Sequence, residues 1–175
     1  YIDLEKPITI VDGQRNVGVI INMPPEMNVN ENSKIKVEIE DGINNTGLYF
    51  STHNTVGGNE QKIAEAKINI KGGENNLGIW LAARAANKEY NLNGVEINIT
   101  DGTKNFGVLT REYSEVSRPT LSGKIELNPD GNGINISGGT GNIGLGVVSY
   151  GEVAYNGTIS ITGGDKGYGV YTRQG

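Results

Sequence analysis

One short pattern recurs along this chain, and it constrains the fold more than any other feature. With Φ for a mostly apolar position, the pattern reads Φ-x-Φ-x-(Asp or Gly)-Gly-x-x-Asn-x-Gly-Φ-x-Φ. Its copies lie at residues 8–21, 37–50, 68–81, 97–110, 134–147 and 159–172. A repeat of about thirty residues is typical of solenoids, in which each unit buries its apolar face against its neighbours.

The two Φ-x-Φ segments of each unit predict short strands, because alternation of apolar and polar residues marks a strand with one buried face. The Asp-Gly or Gly-Gly between them supplies backbone able to adopt a positive φ. Asp-Gly is also a hairpin signal, but a hairpin array is not expected to repeat the same glycine and asparagine positions in every unit. The sequence therefore predicts an all-β, right-handed parallel β-helix of about six coils, spaced about 4.8 Å apart.

The sequence alone does not decide where the fifth unit begins. The first four units, which begin at Ile8, Val37, Ile68 and Ile97, follow one another at nearly equal steps. A fifth unit that begins at Ile134 makes the step before it long and the step after it short. One that begins at Ile125 instead keeps the step before it close to the earlier ones and lengthens the step after it.

Two kinds of column follow from stacking identical positions. The inward columns are isoleucine and valine and form the predicted core: Ile8, Ile10, Val37, Ile39, Ile68, Ile70, Ile97, Ile99, Ile134, Ile136, Ile159 and Ile161. A predicted structural ladder stacks the asparagine of each corner, where amides would bond to those above and below and tolerate left-handed backbone: Asn16, Asn45, Asn76, Asn105 and Asn142. Gly167 replaces the asparagine in the last unit.

Composition excludes several classes of function. The 20 acidic and 15 basic residues give a net charge of −5, and the basic ones are scattered, so no nucleic-acid surface is expected. There is no Cys for a disulfide or a thiolate metal site, and no long apolar run for a membrane span. We see no capping segment at either end, and we therefore expect residues 1–175 to be a single, uncapped segment that continues into further coils of the same chain.

The units rich in Asn, Gly and Ile, with Asp-Gly or Gly-Gly corners and no Cys, resemble the β-helix passenger segments of large type V secretion autotransporter adhesins of the fusobacterial type. The resemblance implies export through an outer-membrane β-barrel and display on the cell surface as a stalk that carries binding loops. It also implies a role in cell adhesion and virulence, with a host-cell or bacterial surface protein or glycan as partner.

Enzymatic β-helices need carboxylates that converge on one face, and this chain does not predict such a group. The outward columns of the first strand read Thr9, Glu38, Asn69, Asn98, Asn135, Ser160 and Val11, Glu40, Lys71, Thr100, Ser137, Thr162. No catalytic residue, metal site or cofactor is predicted, and His53 is the single histidine. A calcium-binding roll is rejected because Ile143 stands where its aspartate would be. Four sequons, at Asn44, Asn98, Asn135 and Asn156, match the glycosylation pattern, but their number is expected by chance in such a composition.

The candidate binding site comes from the second strand. The residue after its Gly is expected to face inward, so the next one faces outward, in the column Ile20, Tyr49, Trp80, Leu109, Gly146 and Tyr171. Soluble proteins rarely expose a contiguous apolar column, so either the variable segments cover it or a partner binds it. The candidate binding residues are Tyr49, Trp80, Leu109 and Tyr171, with Arg84, Arg111 and Arg118 in the flanking segments.

The function predicted from these residues and from the resemblance is that of a non-catalytic adhesin or stalk segment. Two alternatives stay open: a carbohydrate-active β-helix enzyme, such as a polysaccharide lyase or a tailspike glycosidase, and a pure structural spacer.

Overall fold

The computed structural model describes residues 2–22, 33–51, 61–82, 89–110, 124–128, 133–148 and 152–173. Within these ranges the chain is all-β and contains no helix. The short Φ-x-Φ segments form strands because β-branched residues suit a pleated surface with one buried side, and a glycine-containing corner follows each strand of the first sheet.

The strands form three parallel sheets. The first sheet contains, in spatial order, β1 (Ile8–Val11), β3 (Lys34–Glu40), β6 (Glu65–Lys71), β9 (Val95–Thr100), β12 (Ile134–Ser137) and β15 (Ile159–Thr162). The second contains β2 (Val17–Asn22), β4 (Thr46–Ser51), β7 (Leu77–Ala82), β10 (Phe106–Thr110), β13 (Ile143–Val148) and β16 (Tyr168–Arg173). The third contains β5 (Gln61–Ile63), β8 (Glu89–Asn93), β11 (Lys124–Asn128) and β14 (Glu152–Tyr155).

Each strand pairs with its copy in the next unit, and every one of these pairings is parallel. The hairpin alternative is therefore excluded. The chain passes from the first sheet to the second and then to the third, so the described strands build a β-solenoid. The third sheet has four strands, which gives about four turns in which all three faces carry a strand.

The fifth unit begins at Ile134. In the first sheet Ile134 pairs with Ile97 before it and with Ile159 after it. Ile125, the other candidate, lies in the third sheet, where it pairs with Tyr90 and Val153. The long step before Ile134 and the short step after it therefore reflect unequal lengths between the second and the first sheets, while the paired register stays constant.

The core lies between the sheets and contains most of the predicted inward columns together with inward residues of the second sheet, while Ile8 and Ile159, in the end coils, are only partly buried. Ile68 and Ile97 are fully buried, and Ile39 and Ile70 are 1% exposed. In the last coil, by contrast, Ile161 is 41% exposed. Burial of such a side chain contributes about 1.5 to 3 kcal/mol relative to exposure, so most of the stabilisation comes from stacking one coil on the next.

The glycine of the second strand permits a close approach between coils. A Cβ on Gly47 would lie 2.8 Å from the carbonyl oxygen of Gly78 and 3.0 Å from Cγ2 of Ile68. The same position in the next coil is as tight, since a Cβ on Gly78 would lie 2.5 Å from the carbonyl oxygen of Gly107. No side chain fits at this position in the first five units, whereas a Cβ on Gly169, in the last coil, would meet nothing closer than 3.8 Å.

The corner asparagines bind the neighbouring coil through both ends of the side-chain amide. Oδ1 of Asn76 accepts a hydrogen bond from the backbone N–H of Asn45 at 2.9 Å, and its Nδ2 donates to the carbonyl oxygen of Asp41 at 3.1 Å. The column thus bonds side chain to backbone, whereas the sequence suggested amide to amide. Asn45, Asn76, Asn105 and Asn142 are buried, while Asn16, in the first coil, is exposed.

The left-handed backbone of each corner lies just before the asparagine and not at it. In the first corner, φ is +54° at Asp12, +69° at Gly13 and +58° at Arg15. The equivalent residues of the other corners also have positive φ, including Lys104 at +52° and Lys166 at +53°. The preference of Asp and Gly for this region accounts for the first two positions.

Candidate functional site

The outward column of the second sheet has the register expected from the sequence. Tyr49 pairs with Ile20 on one side and with Trp80 on the other. Leu109 then connects Trp80 to Gly146, and Gly146 pairs with Tyr171. The residues that precede this column, such as Leu48 and Ile79, are fully buried, which places the column itself on the outer side of the sheet.

A second column lies beside it and was not identified from the sequence. A Cβ on Gly146 would lie 3.0 Å from Cδ1 of Leu109 and 3.1 Å from the ring of Phe106, so Phe106 and Leu109 share one side of the sheet. The column of Phe106 comprises Val17, Thr46, Leu77, Phe106, Ile143 and Tyr168. All of these residues except Thr46 are apolar or aromatic. That bias was visible in the repeat, at the position directly before the second-strand glycine.

The two columns flank a pair of inward positions because the glycine interrupts the alternation. At that glycine the missing side chain would point at the core, as the contact with Ile68 shows for Gly47, and the next residue, Leu48, is also buried. Two successive inward positions bring the flanking residues to the same outer side. We call these two columns together the outer apolar face.

Exposure varies along the outer apolar face. At one end Ile20 is 57% exposed and Val17 36%, and at the other Tyr168 is 48% and Tyr171 39% exposed. Between them the face is shielded, since Leu109 is 9% and Ile143 8% exposed, and Trp80 is half-buried. In the central coils, therefore, side chains on the outer side of the second sheet are not fully exposed to solvent.

Aromatic rings are paired on this face. The ring centroids of Tyr49 and Trp80 are 4.6 Å apart with an interplanar angle of 31°. Tyr168 and Tyr171 meet edge to face, with centroids 6.5 Å apart. Such pairs contribute about 0.5 to 1.5 kcal/mol beyond the area they bury, and they hold the rings in fixed orientations. The face can therefore offer preorganised apolar and aromatic surface.

The outer side of the first sheet is polar except at Val11, which is exposed. Its asparagines form a chain of amides in which Asn98 donates to Oδ1 of Asn69 at 2.9 Å and Asn135 donates to Oδ1 of Asn98 at 3.1 Å. Nearby, Nζ of Lys71 lies 3.1 Å from Oε1 of Glu40. This hydrogen bond and the charge of Glu40 raise the pKa of Lys71 above its ordinary value. These contacts are those of a hydrated strand surface.

Within the described ranges no group of three or more His, Cys, Asp or Glu side chains is placed to hold a metal ion. The same part of the chain contains no helix long and apolar enough to cross a membrane. Arg84, Arg111 and Arg118, predicted to flank the aromatic column, lie outside the described residues, as does His53.

The comparisons with known proteins add no relative: no family model matches the chain, and no curated protein or solved structure matches it.

Proposed function

We propose that this chain is a segment of a right-handed parallel β-helix of about six coils that acts as a non-catalytic adhesin on a cell surface. In this role the solenoid is a rigid stalk, and the outer apolar face binds a host-cell or bacterial surface protein or glycan. The repeat style, which resembles autotransporter passengers, supports display outside the outer membrane by type V secretion and continuation into further coils.

One observation carries the proposal: the outer apolar face is continuous across the second sheet and includes two aromatic pairs held in fixed geometry. Aromatic residues dominate binding hot spots because they bury a large area at a low cost in conformational entropy. Tyr49 and Trp80, in central coils, are each partly exposed, which leaves part of this aromatic pair accessible to a partner.

Among the described residues, the way the outward carboxylates of the first sheet are used supports a non-catalytic role. Glu40 is paired with Lys71, and the next units replace the Glu38 position by Asn69 and Asn98, whose amides bond to each other. A lyase or a glycosidase needs carboxylates that converge on a substrate. Assay of the chain on a panel of acidic and neutral polysaccharides tests this alternative, and turnover of any of them would replace the adhesin proposal.

The binding role is tested with Tyr49→Ala, Trp80→Ala and Tyr171→Ala. We expect each variant to bind host or bacterial cells at least about tenfold more weakly, which corresponds to about 1.4 kcal/mol, since hot-spot truncations commonly cost that much or more. Binding is measured by flow cytometry with the labelled intact chain, after circular dichroism has shown that the fold is retained.

The matched control is Thr9→Ala, which removes an exposed outward side chain from the first sheet. Its binding should equal that of the unmodified chain. If all three aromatic variants bind cells as well as the control does, the segment is a spacer and its parent protein binds elsewhere.

A further inference from the structure

One corner position has a left-handed backbone in each of the six units and carries two kinds of residue. It lies directly before the position of the corner asparagine, has φ between +52° and +66°, and comprises Arg15, Asn44, Asn75, Lys104, Gly141 and Lys166. Hydrogen bonds between coils hold the backbone there, such as the bond from the Lys104 N–H to the carbonyl oxygen of Thr140 at 2.9 Å. The conformation is therefore set by the stack and does not depend on the side chain.

Three of the six units carry lysine or arginine at this position, although the conformation does not favour them. Asparagine and glycine, which the other three units carry, adopt a positive φ at little cost, whereas a long side chain strains the backbone. Backbone strain that the surrounding structure holds in place is concentrated at functional positions. The retained strain points to a role for the positive charge that the stack itself does not require.

Lys104 is the member of this set that lies in a central coil. Its side chain is exposed and leans towards the next coil, since a Cβ on Gly141 would lie 3.5 Å from Cγ of Lys104. Among the described residues, no carboxylate forms an ion pair with its Nζ. Only the buried Asn105 separates Lys104 from Phe106, so the two Cα atoms are at most about 7 Å apart. An exposed cation therefore borders the outer apolar face in a central coil.

The aromatic pair on the same face leaves little open ring face. The centroids of Tyr49 and Trp80 are 4.6 Å apart, close to the spacing of about 4.8 Å between strands, and the interplanar angle is 31°. The rings are therefore turned face to face along the stack, with Ile20 and Leu109 next to them in the column. A sugar that stacks on an aromatic side chain needs an open ring face, whereas an apolar side chain also packs against ring edges. This geometry suits a protein better than a glycan.

We propose that the outer apolar face, together with Lys104, binds a protein segment in which apolar side chains are flanked by aspartate or glutamate. The apolar side chains pack on the two columns, and a carboxylate of the partner pairs with Nζ of Lys104 at their edge. This inference rests on the proposed binding role of the face and names the class of its partner. An acidic glycan and a second copy of the chain are the occupants that the experiment separates from it.

The test uses Lys104→Asn in the intact chain, because asparagine suits the left-handed corner but removes the charge. We expect the midpoint of thermal unfolding to rise by about 2 to 4 °C as the strain is relieved. Binding to a cell line that the unmodified chain labels, measured by flow cytometry, should fall about threefold or more at about 0.05 M salt and by less at about 0.5 M salt. A purely structural role would not move stability and binding in opposite directions.

Two further variants are the controls. Lys104→Arg keeps both the charge and the strained backbone, so its binding and its unfolding midpoint should match those of the unmodified chain. Lys71→Asn removes the same charge from the outer side of the first sheet, where Lys71 pairs with Glu40, and should leave binding unchanged at both salt concentrations.

Treatment of the cells identifies the class of partner. We expect proteinase K to abolish binding, and a mixture of sialidase and heparinase to leave both binding and its dependence on Lys104 unchanged. The opposite pattern would assign the face to an acidic glycan. A dimer of the chain in analytical ultracentrifugation that Lys104→Asn dissociates would assign it to a second copy. Either of these results overturns the proposal.

The proposed function and this inference fail in different ways. If the unmodified chain labels no cells, the binding role of the face is wrong and the inference is wrong with it. If cells are labelled and the aromatic variants bind weakly, but Lys104→Asn binds as well as Lys71→Asn, the face binds a partner without Lys104 and only this inference is wrong.

Discussion

At the scale of single residues, each buried corner asparagine links two coils through hydrogen bonds between its side-chain amide and the backbone of the neighbouring coil. Asn76→Ala removes the acceptor for the buried N–H of Asn45 and the donor to the part-buried carbonyl of Asp41. Each loss costs about 1 to 3 kcal/mol, so we expect the free energy of unfolding to fall by about 2 to 6 kcal/mol, and the exposure of Asp41 places the change towards the lower end. Urea unfolding measures it. Asn16→Ala, at the exposed end of the column, should change stability by less than about 0.5 kcal/mol, and equal losses in the two variants would contradict this account.

The second-strand glycine gives a residue-scale prediction of a different kind, because its constraint is close approach. In Gly78→Ala the new Cβ would lie 2.5 Å from the carbonyl oxygen of Gly107 and would force two coils apart. We expect a loss of at least about 2 kcal/mol, within the range that overpacking causes. Gly163→Ala is the matched control, since Gly163 has φ of +66° but nothing within 4 Å of the added Cβ. It should cost about 1 kcal/mol from backbone strain alone. Thermal unfolding of the two variants measures the difference in stability. A larger loss in Gly163→Ala than in Gly78→Ala would show that backbone strain outweighs the steric contact between coils.

Residue-scale features were only partly predictable from the sequence. The repetition of asparagine predicted a stacked column, because identical positions meet in a solenoid. It did not reveal which groups bond, since the choice between amide and backbone partners depends on the corner geometry. The positive φ of Arg15 and Lys104 had no sequence signal, because neither residue type prefers that region.

At the scale of the strand, the pair of Lys71 on β6 and Glu40 on β3 joins two neighbouring coils. The raised pKa means that the charged lysine is favoured in the fold, so this small stabilisation is present below the ordinary pKa of lysine and is lost as the pH rises through the folded value. We expect Nζ of Lys71, followed by NMR, to titrate above the ordinary lysine value, and Glu40→Gln should lower its pKa towards that value. Stability at pH 7 should hardly change, because exposed ion pairs are screened. If the pKa of Lys71 is the same in Glu40→Gln as in the unmodified chain, Glu40 is not the cause of the raised pKa.

The strand scale also shows where sequence reasoning reached its limit. Alternation within β4 and β7 was enough to place Tyr49 and Trp80 on one side of the sheet, in adjacent strands. The neighbouring column that contains Phe106 was missed, because the glycine breaks the alternation and strict counting by two assigns the preceding residue to the wrong side. The choice between Ile125 and Ile134 depended on a third strand whose length varies between units, which a fixed repeat length cannot specify.

At the scale of the whole molecule, the stack should open from its ends, since each coil contacts only its neighbours. Ile97, in a central coil, is fully buried, whereas Ile161 and Val170, in the last coil, are 41% and 55% exposed. We therefore expect amides of β6 and β9, which are paired on both sides, to exchange with solvent at least about tenfold more slowly than those of β15 and β16. Hydrogen exchange followed by mass spectrometry, with rates corrected for intrinsic exchange, measures the gradient.

Substitution of a core residue gives a second test. Ile97→Ala should cost about 2 to 5 kcal/mol and raise exchange in the coils on both sides of its own, while Ile161→Ala should affect the last coil alone. Uniform protection throughout the stack would mean that the solenoid opens as one cooperative unit, and the nearest-neighbour account of its stability would then be wrong.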